Sequence, residues 1–185
     1  MVWNEPIVVD EWTPDGQFVL FRNMGRAVWA VPVRGDGKPV MLVDTPYDED
    51  EIHVSPDGRW VAFNADESGR WEVYVARFPE FTSKRQISRD GGVQAQWSGN
   101  GRELFYLASD GWMMAVRITP GPEFVGSPPS RLFATRILPN PYVPQYAVTA
   151  DGQRFLGLDP VGGETSGLTL MLNWLDPKEV STPVR

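Results

Sequence analysis

One phrase recurs along this chain and restricts its fold more than any other property of the sequence. Ser55-Pro56-Asp57-Gly58 is a reverse-turn signal: Pro56 presets φ, Asp57 bonds the backbone just downstream, and Gly58 accepts a positive φ. It runs directly into Trp60-Val61-Ala62-Phe63, an aromatic and β-branched stretch too short for a stable helix and well suited to a strand. The pairing returns as Thr13-Pro14-Asp15-Gly16 before Phe18-Val19-Leu20-Phe21, as Ser98-Gly99-Asn100-Gly101 before Glu103-Leu104-Phe105-Tyr106, and as Thr149-Ala150-Asp151-Gly152 before Arg154-Phe155-Leu156. The turn glycines lie roughly 40–50 residues apart, the period of a unit that holds four short strands. A single Asp-Gly turn is compatible with any all-β protein. Four in near-constant register specify about four small antiparallel sheets of four strands each, fanned round an axis as a β-propeller.

The units fall at approximately 6–48, 49–91, 92–137 and 142–178 within a single domain or partial propeller. Expected strands are 6–12, 18–22, 27–33 and 40–44 in the first unit, and 51–55, 60–64, 72–78 and 85–88 in the second. The third takes 93–97, 103–107, 113–118 and 130–135; the fourth takes 145–149, 154–158 and 168–174 and lacks its outer strand. The Pro- and Gly-rich stretches 119–129 and 138–144 lengthen the last period. Only residues 1–5 are left to complete the last blade. The chain is therefore expected either to be the C-terminal part of a larger propeller or to pair with another copy or with further blades, because bare strand edges and apolar faces invite association.

Charge and composition remove several function classes. The 185 residues carry a net charge of −7, and no Lys/Arg cluster alternates with aromatics, so nucleic acid is not an expected partner. With no cysteine there are no disulfides, thiolate metal sites or cysteine nucleophiles. The N-terminus lacks a signal-peptide pattern and no run reaches the roughly 20 apolar residues of a membrane span, which reads as a soluble chain without membrane insertion. His53 is the single histidine, and no Gly-x-Ser-x-Gly elbow accompanies it; in Gly163-Glu164-Thr165-Ser166-Gly167 the serine is misplaced. One carboxylate per turn is too few for a calcium loop, so Asp15, Asp57 and Asp151 read as turn caps. No catalytic residue, metal or cofactor is expected, and Trp12, Trp29, Trp71 and Trp97 read as packing between blades.

Blade topology sorts the charges. Connections between second and third strands, and from one blade to the next, share one face. Asp44, Asp48, Glu49, Asp50, Glu51, Asp66, Glu67, Asp90, Asp110, Asp159 and Glu164 fall there, opposed by little more than Arg26, Arg70 and Arg89. A strongly negative rim is expected, with Asp48, Glu49, Asp50, Glu51, Asp66, Glu67 and Asp90 as candidate contacts for a protein or cationic peptide. The plain alternative is a solvated rim that aids solubility.

Ser55-Pro56-Asp57-Gly58-Arg59-Trp60-Val61-Ala62-Phe63 and Gly69-Arg70-Trp71-Glu72-Val73-Tyr74-Val75 resemble the repeat of TolB-like, WD-repeat-like propellers. Gly91-Gly92-Val93-Gln94-Ala95-Gln96-Trp97, Gly101-Arg102-Glu103-Leu104-Phe105-Tyr106-Leu107 and Leu172-Asn173-Trp174 look like the C-terminal propeller of bacterial eukaryotic-type serine/threonine protein kinases. The resemblance implies a non-enzymatic sensor or scaffold module in an extracytoplasmic setting. The same propeller also accompanies prolyl-oligopeptidase-type hydrolases, where it gates substrate, which is the alternative function. No kinase signature occurs in this sequence.

Overall fold

The computed structural model describes residues 6–23, 27–35, 37–159 and 167–172, and every regular element among them is a strand. The first sheet holds β1 (Ile7–Trp12), β2 (Phe18–Asn23), β3 (Val28–Pro32) and β4 (Val40–Val43); the second holds β5 (Glu49–Val54), β6 (Trp60–Ala65), β7 (Glu72–Arg77) and β8 (Thr82–Gln86). The third contains β9 (Gly92–Trp97), β10 (Glu103–Ala108) and β11 (Trp112–Thr119), with β12 (Val125–Gly126) and β13 (Ser130–Ala134) both pairing with β11. β14 (Tyr146–Val148), β15 (Arg154–Asp159) and β16 (Gly167–Leu172) form the fourth. Each sheet is an antiparallel meander in chain order, so these are the blades of an incomplete propeller.

The four turns share one bonding scheme. The hydroxyls of Thr13 and Ser55 donate to Asp15 and Asp57 at 2.6 Å, that of Ser98 donates to Asn100 at 3.0 Å, and that of Thr149 donates to Asp151. The same side-chain oxygens accept the N–H groups of Gln17, Arg59, Arg102 and Gln153. Asn100 replaces Asp without loss because its carbonyl oxygen accepts the same bonds. The glycines that close the turns have φ of +70, +70, +66 and +72°, a region in which any side chain is strained.

The core lies between the sheets rather than within any one of them. Leu20, Val28 and Ala30 of the first blade meet Val61, Phe63, Tyr74 and Ala76 of the second. Trp60, Ala62, Val73 and Val75 then meet Leu104, Tyr106 and Val116, and Phe105, Leu107 and Ala115 meet Tyr146 and Phe155. Phe124, from the Pro- and Gly-rich connection, is buried edge-on to Trp60, with centroids 5.5 Å apart. That anchors a stretch whose composition reads as loop.

Some details depart from the sequence reading. β8 begins three residues earlier than expected, at Thr82. β5 begins two residues earlier, at Glu49, which moves two of the expected rim carboxylates, Glu49 and Asp50, into the strand that already held Glu51. Trp71 packs edge-on against Tyr142 at 5.4 Å, in keeping with its packing role, whereas Trp12 is 61% exposed. The expected completing strand at 1–5 lies outside the described residues.

Candidate partner-binding site

The innermost strands bulge where they approach the axis. Asp10 of β1 has no opposite residue on β2, Glu51 and Ile52 of β5 both oppose Phe63, and Gln94 and Ala95 of β9 both oppose Tyr106. A bulge bends its strand and re-aims a side chain. Glu51 and Gln94 take φ of 51 and 60°, the left-handed region that costs a non-glycine residue about 1–3 kcal/mol. They stand at equivalent places in successive blades.

The bulges turn polar groups toward the neighbouring innermost strand. On β1 and β5, Arg22 donates through Nε to both oxygens of Asp10, at 2.9 and 3.0 Å, and its Nη1 lies 2.6 Å from Asp50 Oδ2. His53 stands between two carboxylates, with Nδ1 3.5 Å from Glu11 Oε1 and Nε2 3.6 Å from Glu51 Oε2. The other oxygen of Glu11 accepts the Val54 N–H at 2.6 Å. Burial pushes the Asp10 carboxyl up to about 6 against the pull of Arg22, and raises Asp50 for the same reason. Burial alone would lower the His53 imidazole, but bonds to Glu11 and Glu51 and their charges hold it at about 9.

On β9 the bulged residue is neutral and fully bonded. Gln94 Nε2 donates to the carbonyls of Asn140 and Val143 and to Gln145 Oε1, its side-chain oxygen accepts the Gln145 N–H, and its backbone carbonyl accepts the Tyr146 hydroxyl. Asn64 accepts the Gln94 N–H at 2.9 Å. Gln96 donates to the Tyr146 carbonyl and Trp97 to the His53 carbonyl. These side-chain bonds tie successive innermost strands together without sheet pairing. The β1–β5 cluster differs because four carboxylates, Asp10, Glu11, Asp50 and Glu51, face one guanidinium and one imidazolium. It is also reachable: the Glu11 and His53 side chains remain 20% and 27% exposed.

The expected rim is thus divided. Asp48, Asp66, Glu67 and Asp90 lie on connections, but Glu49, Asp50 and Glu51 are buried within β5 at 3%, 5% and 8% exposure, so their placement on a solvated loop is corrected. The turn residues that direct β5 lie beyond its far end, and local sequence did not mark the start of pairing with Ala65 and Asn64. Glu49 accepts from the Thr45 hydroxyl at 2.6 Å, and burial raises its pKa. Asp66 accepts the Asp48 N–H at 3.1 Å, and Asp90 is fully exposed with Arg70 4.0 Å away. The rim also has more cations than expected, since Lys84 pairs with Glu67 and Arg131 with Asp110, both from outer strands. Asp44 is exposed; Arg26, Asp159 and Glu164 lie outside the residues whose side chains are described.

Sequence reasoning passed over Asp10, Glu11, Arg22 and Gln94. The signal was a polar residue seven positions before the turn glycine in three innermost strands, Glu51, Gln94 and Gln145, with Asp10 and Glu11 of the first blade six and five positions before theirs. Among the described residues no group of three His, Asp or Glu side chains is arranged to hold a metal ion.

No protein-family model and no curated protein matches the chain. Solved structures do. TolB from Acinetobacter baumannii superposes with a TM-score of 0.70 at 19% identity, over 94% of this chain and 42% of that one. Putative TolB from Agrobacterium tumefaciens gives 0.71 at 17% identity, over 92% and 59%. The tricorn protease gives 0.61 at 12% identity, over 89% and 21%. The chain thus spans about half the length, or less, of these structures. At these identities the likeness is one of fold, and the fold is that of a run of blades from a TolB-like β-propeller.

Proposed function

We propose that this chain is a binding module without an active site of its own, which receives a cationic segment of a protein or peptide where β1 and β5 meet. In this reading it is a sensor or scaffold appendage of the kind attached to bacterial serine/threonine kinases. One observation carries the site: four carboxylates gathered round Arg22 and His53 leave negative charge in excess, and Glu11 and His53 stay open to solvent. Partial burial strengthens attraction for an incoming ammonium or guanidinium, and a patch of one sign raises encounter rates. Asp48, Asp66, Glu67 and Asp90 on the nearby connections extend the same field. The rigid blades hold these loops at fixed spacing, as a recognition scaffold requires. The kinase association rests on the resemblance of the β9 and β10 phrases.

Fluorescence anisotropy with oligo-lysine and oligo-arginine probe peptides tests the site, with oligo-glutamate as control. Glu11→Gln and Asp48→Asn are expected to weaken binding of the cationic probes about 10-fold together and to flatten the salt dependence. Binding that is indifferent to both substitutions, with the fold intact by circular dichroism, contradicts the reading.

A further inference from the structure

The outer edge of the third blade is interrupted. β13 pairs with β11 from Trp112 to Ala115 and β12 pairs with it at Ile118 and Thr119, which leaves Val116 and Arg117 between the two pairings. Ser127 meets Arg117 there, donating its N–H to the Arg117 carbonyl at 2.8 Å and accepting the Arg117 N–H at 3.1 Å. Pro128 and Pro129 follow, and neither has an N–H to give to a ladder. A cleft of about 450 Å³ opens between these prolines and the end of β8 in the second blade. Val116 and Phe124, both buried, form its base. Gly126 keeps the base clear, since a Cβ there would stand 3.0 Å from Val116 and 3.3 Å from Phe124.

The wall on the second blade carries two cations, Arg85 and Arg89. Arg85 stands opposite Val75, which packs on the third blade, and directly opposed residues share a face. Ile87 packs against the same cluster, and Arg89 follows at the same two-residue spacing. Among the described residues neither guanidinium has an ion-pair or hydrogen-bond partner, and no carboxylate lines this cleft. By contrast, Arg22, Arg59, Arg70 and Arg131 each meet one.

We propose that this cleft is a second binding site, separate from the β1–β5 cluster, for an apolar body that carries one carboxylate: a free aryl- or alkyl-carboxylic acid, or the C-terminal residue of a peptide. The guanidiniums offer forked N–H donors matched to a carboxylate, and the base receives the attached ring or aliphatic chain. The volume lies within the range of about 300–1,000 Å³ usual for ligand sites. One carboxylate suits the site better than many, because a chain of net charge −7 repels polyanions. Past Arg89 and Pro129, which line both, the cleft leads to a hollow of about 420 Å³ beside Tyr106 and Met114, with room for the residues before a peptide's C-terminus. The carboxylates of that hollow, Asp90 and Asp110, lie 4.0 Å from Arg70 and 2.7 Å from Arg131.

Amide-resolved NMR titrations of the purified chain test the site, with 3-phenylpropionate, N-acetyl-Gly-Phe, the carboxamide of each, and acetate as probes. At least one of the two acids is expected to saturate and to shift the amides of Ile87, Arg89 and Gly126, with its carboxamide and acetate about 10-fold weaker or more. Tighter binding of N-acetyl-Gly-Phe assigns the peptide C-terminus as the source; equal or tighter binding of 3-phenylpropionate assigns the free acid. Arg85→Gln and Arg89→Gln change exposed side chains and are each expected to weaken binding about 5-fold or more, whereas Arg102→Gln, at an exposed turn, leaves it unchanged. Glu11→Gln is also expected to leave it unchanged, so the fate of the cationic-segment site does not bear on this one. Failure of both acids to saturate, shifts confined to other residues, carboxamides that bind as well as the acids, or indifference to both arginine substitutions overturns the proposal.

Discussion

Replacing His53 with Gln isolates the charge on which the β1–β5 cluster depends. The imidazole is held at about 9, against 6.5 for an ordinary histidine, because Glu11 and Glu51 outweigh the burial that would lower it. A one-unit shift corresponds to about 1.4 kcal/mol, so the protonated ring contributes on the order of 3 kcal/mol, and partial exposure to solvent reduces this to about 2 kcal/mol. The folded state binds the proton more tightly, so the contribution is complete below about pH 6.5 and is lost as the pH rises through about 9. Asp10, raised to about 6, acts in the same direction over a lower window, since the folded chain again holds its proton more tightly. Urea unfolding at constant ionic strength, from about pH 5.5 to 9.5, measures the difference. The wild type is expected to lose about 2 kcal/mol between about pH 6.5 and 9.5, while His53→Gln stays flat over that window and the two converge at the alkaline end. Near pH 6 the gap corresponds to about 4–8 °C in Tm. Parallel profiles, or a wild type that gains stability on going from about pH 6.5 to 9, would refute the reasoning.

Glu72, fully buried, accepts from Arg70 at 2.7 Å, from the Gly91 N–H at 3.1 Å and from the Ser88 hydroxyl. Glu72→Ala is therefore expected to cost about 3–5 kcal/mol, since it strands the Ser88 hydroxyl and the Gly91 N–H and leaves a cavity; a loss under about 1 kcal/mol in thermal denaturation would contradict this. A Cβ on Gly92 would stand 2.8 Å from Ser88 Cβ and 2.9 Å from the Tyr106 ring, so Gly92→Ala is expected to destabilise by about 1–3 kcal/mol in urea titration. Phe105→Ala removes a buried ring 5.0 Å from that of Phe155 and is expected to cost about 3–5 kcal/mol, read as a lower urea midpoint.

What the chain alone determined is local and periodic. A hydroxyl, a carboxylate or amide two residues on, and a glycine bond to one another and to the adjacent backbone, so Thr13 to Gly16 and its three counterparts fold as they read. Strand existence followed from the same turns, because each turn delivers an apolar run of fixed length in fixed register. The β1–β5 cluster was not legible in that way. Glu49 to Glu51 look like a loop run of acids, and only pairing with β6, which places Asp50 against Asn64 and crowds Glu51 and Ile52 opposite Phe63, turns them inward. Asp10 and Arg22 are twelve residues apart and become partners with Asp50 only when the first blade packs on the second. The solvation of a carboxylate is a property of its surroundings in space, and those are assembled from different blades.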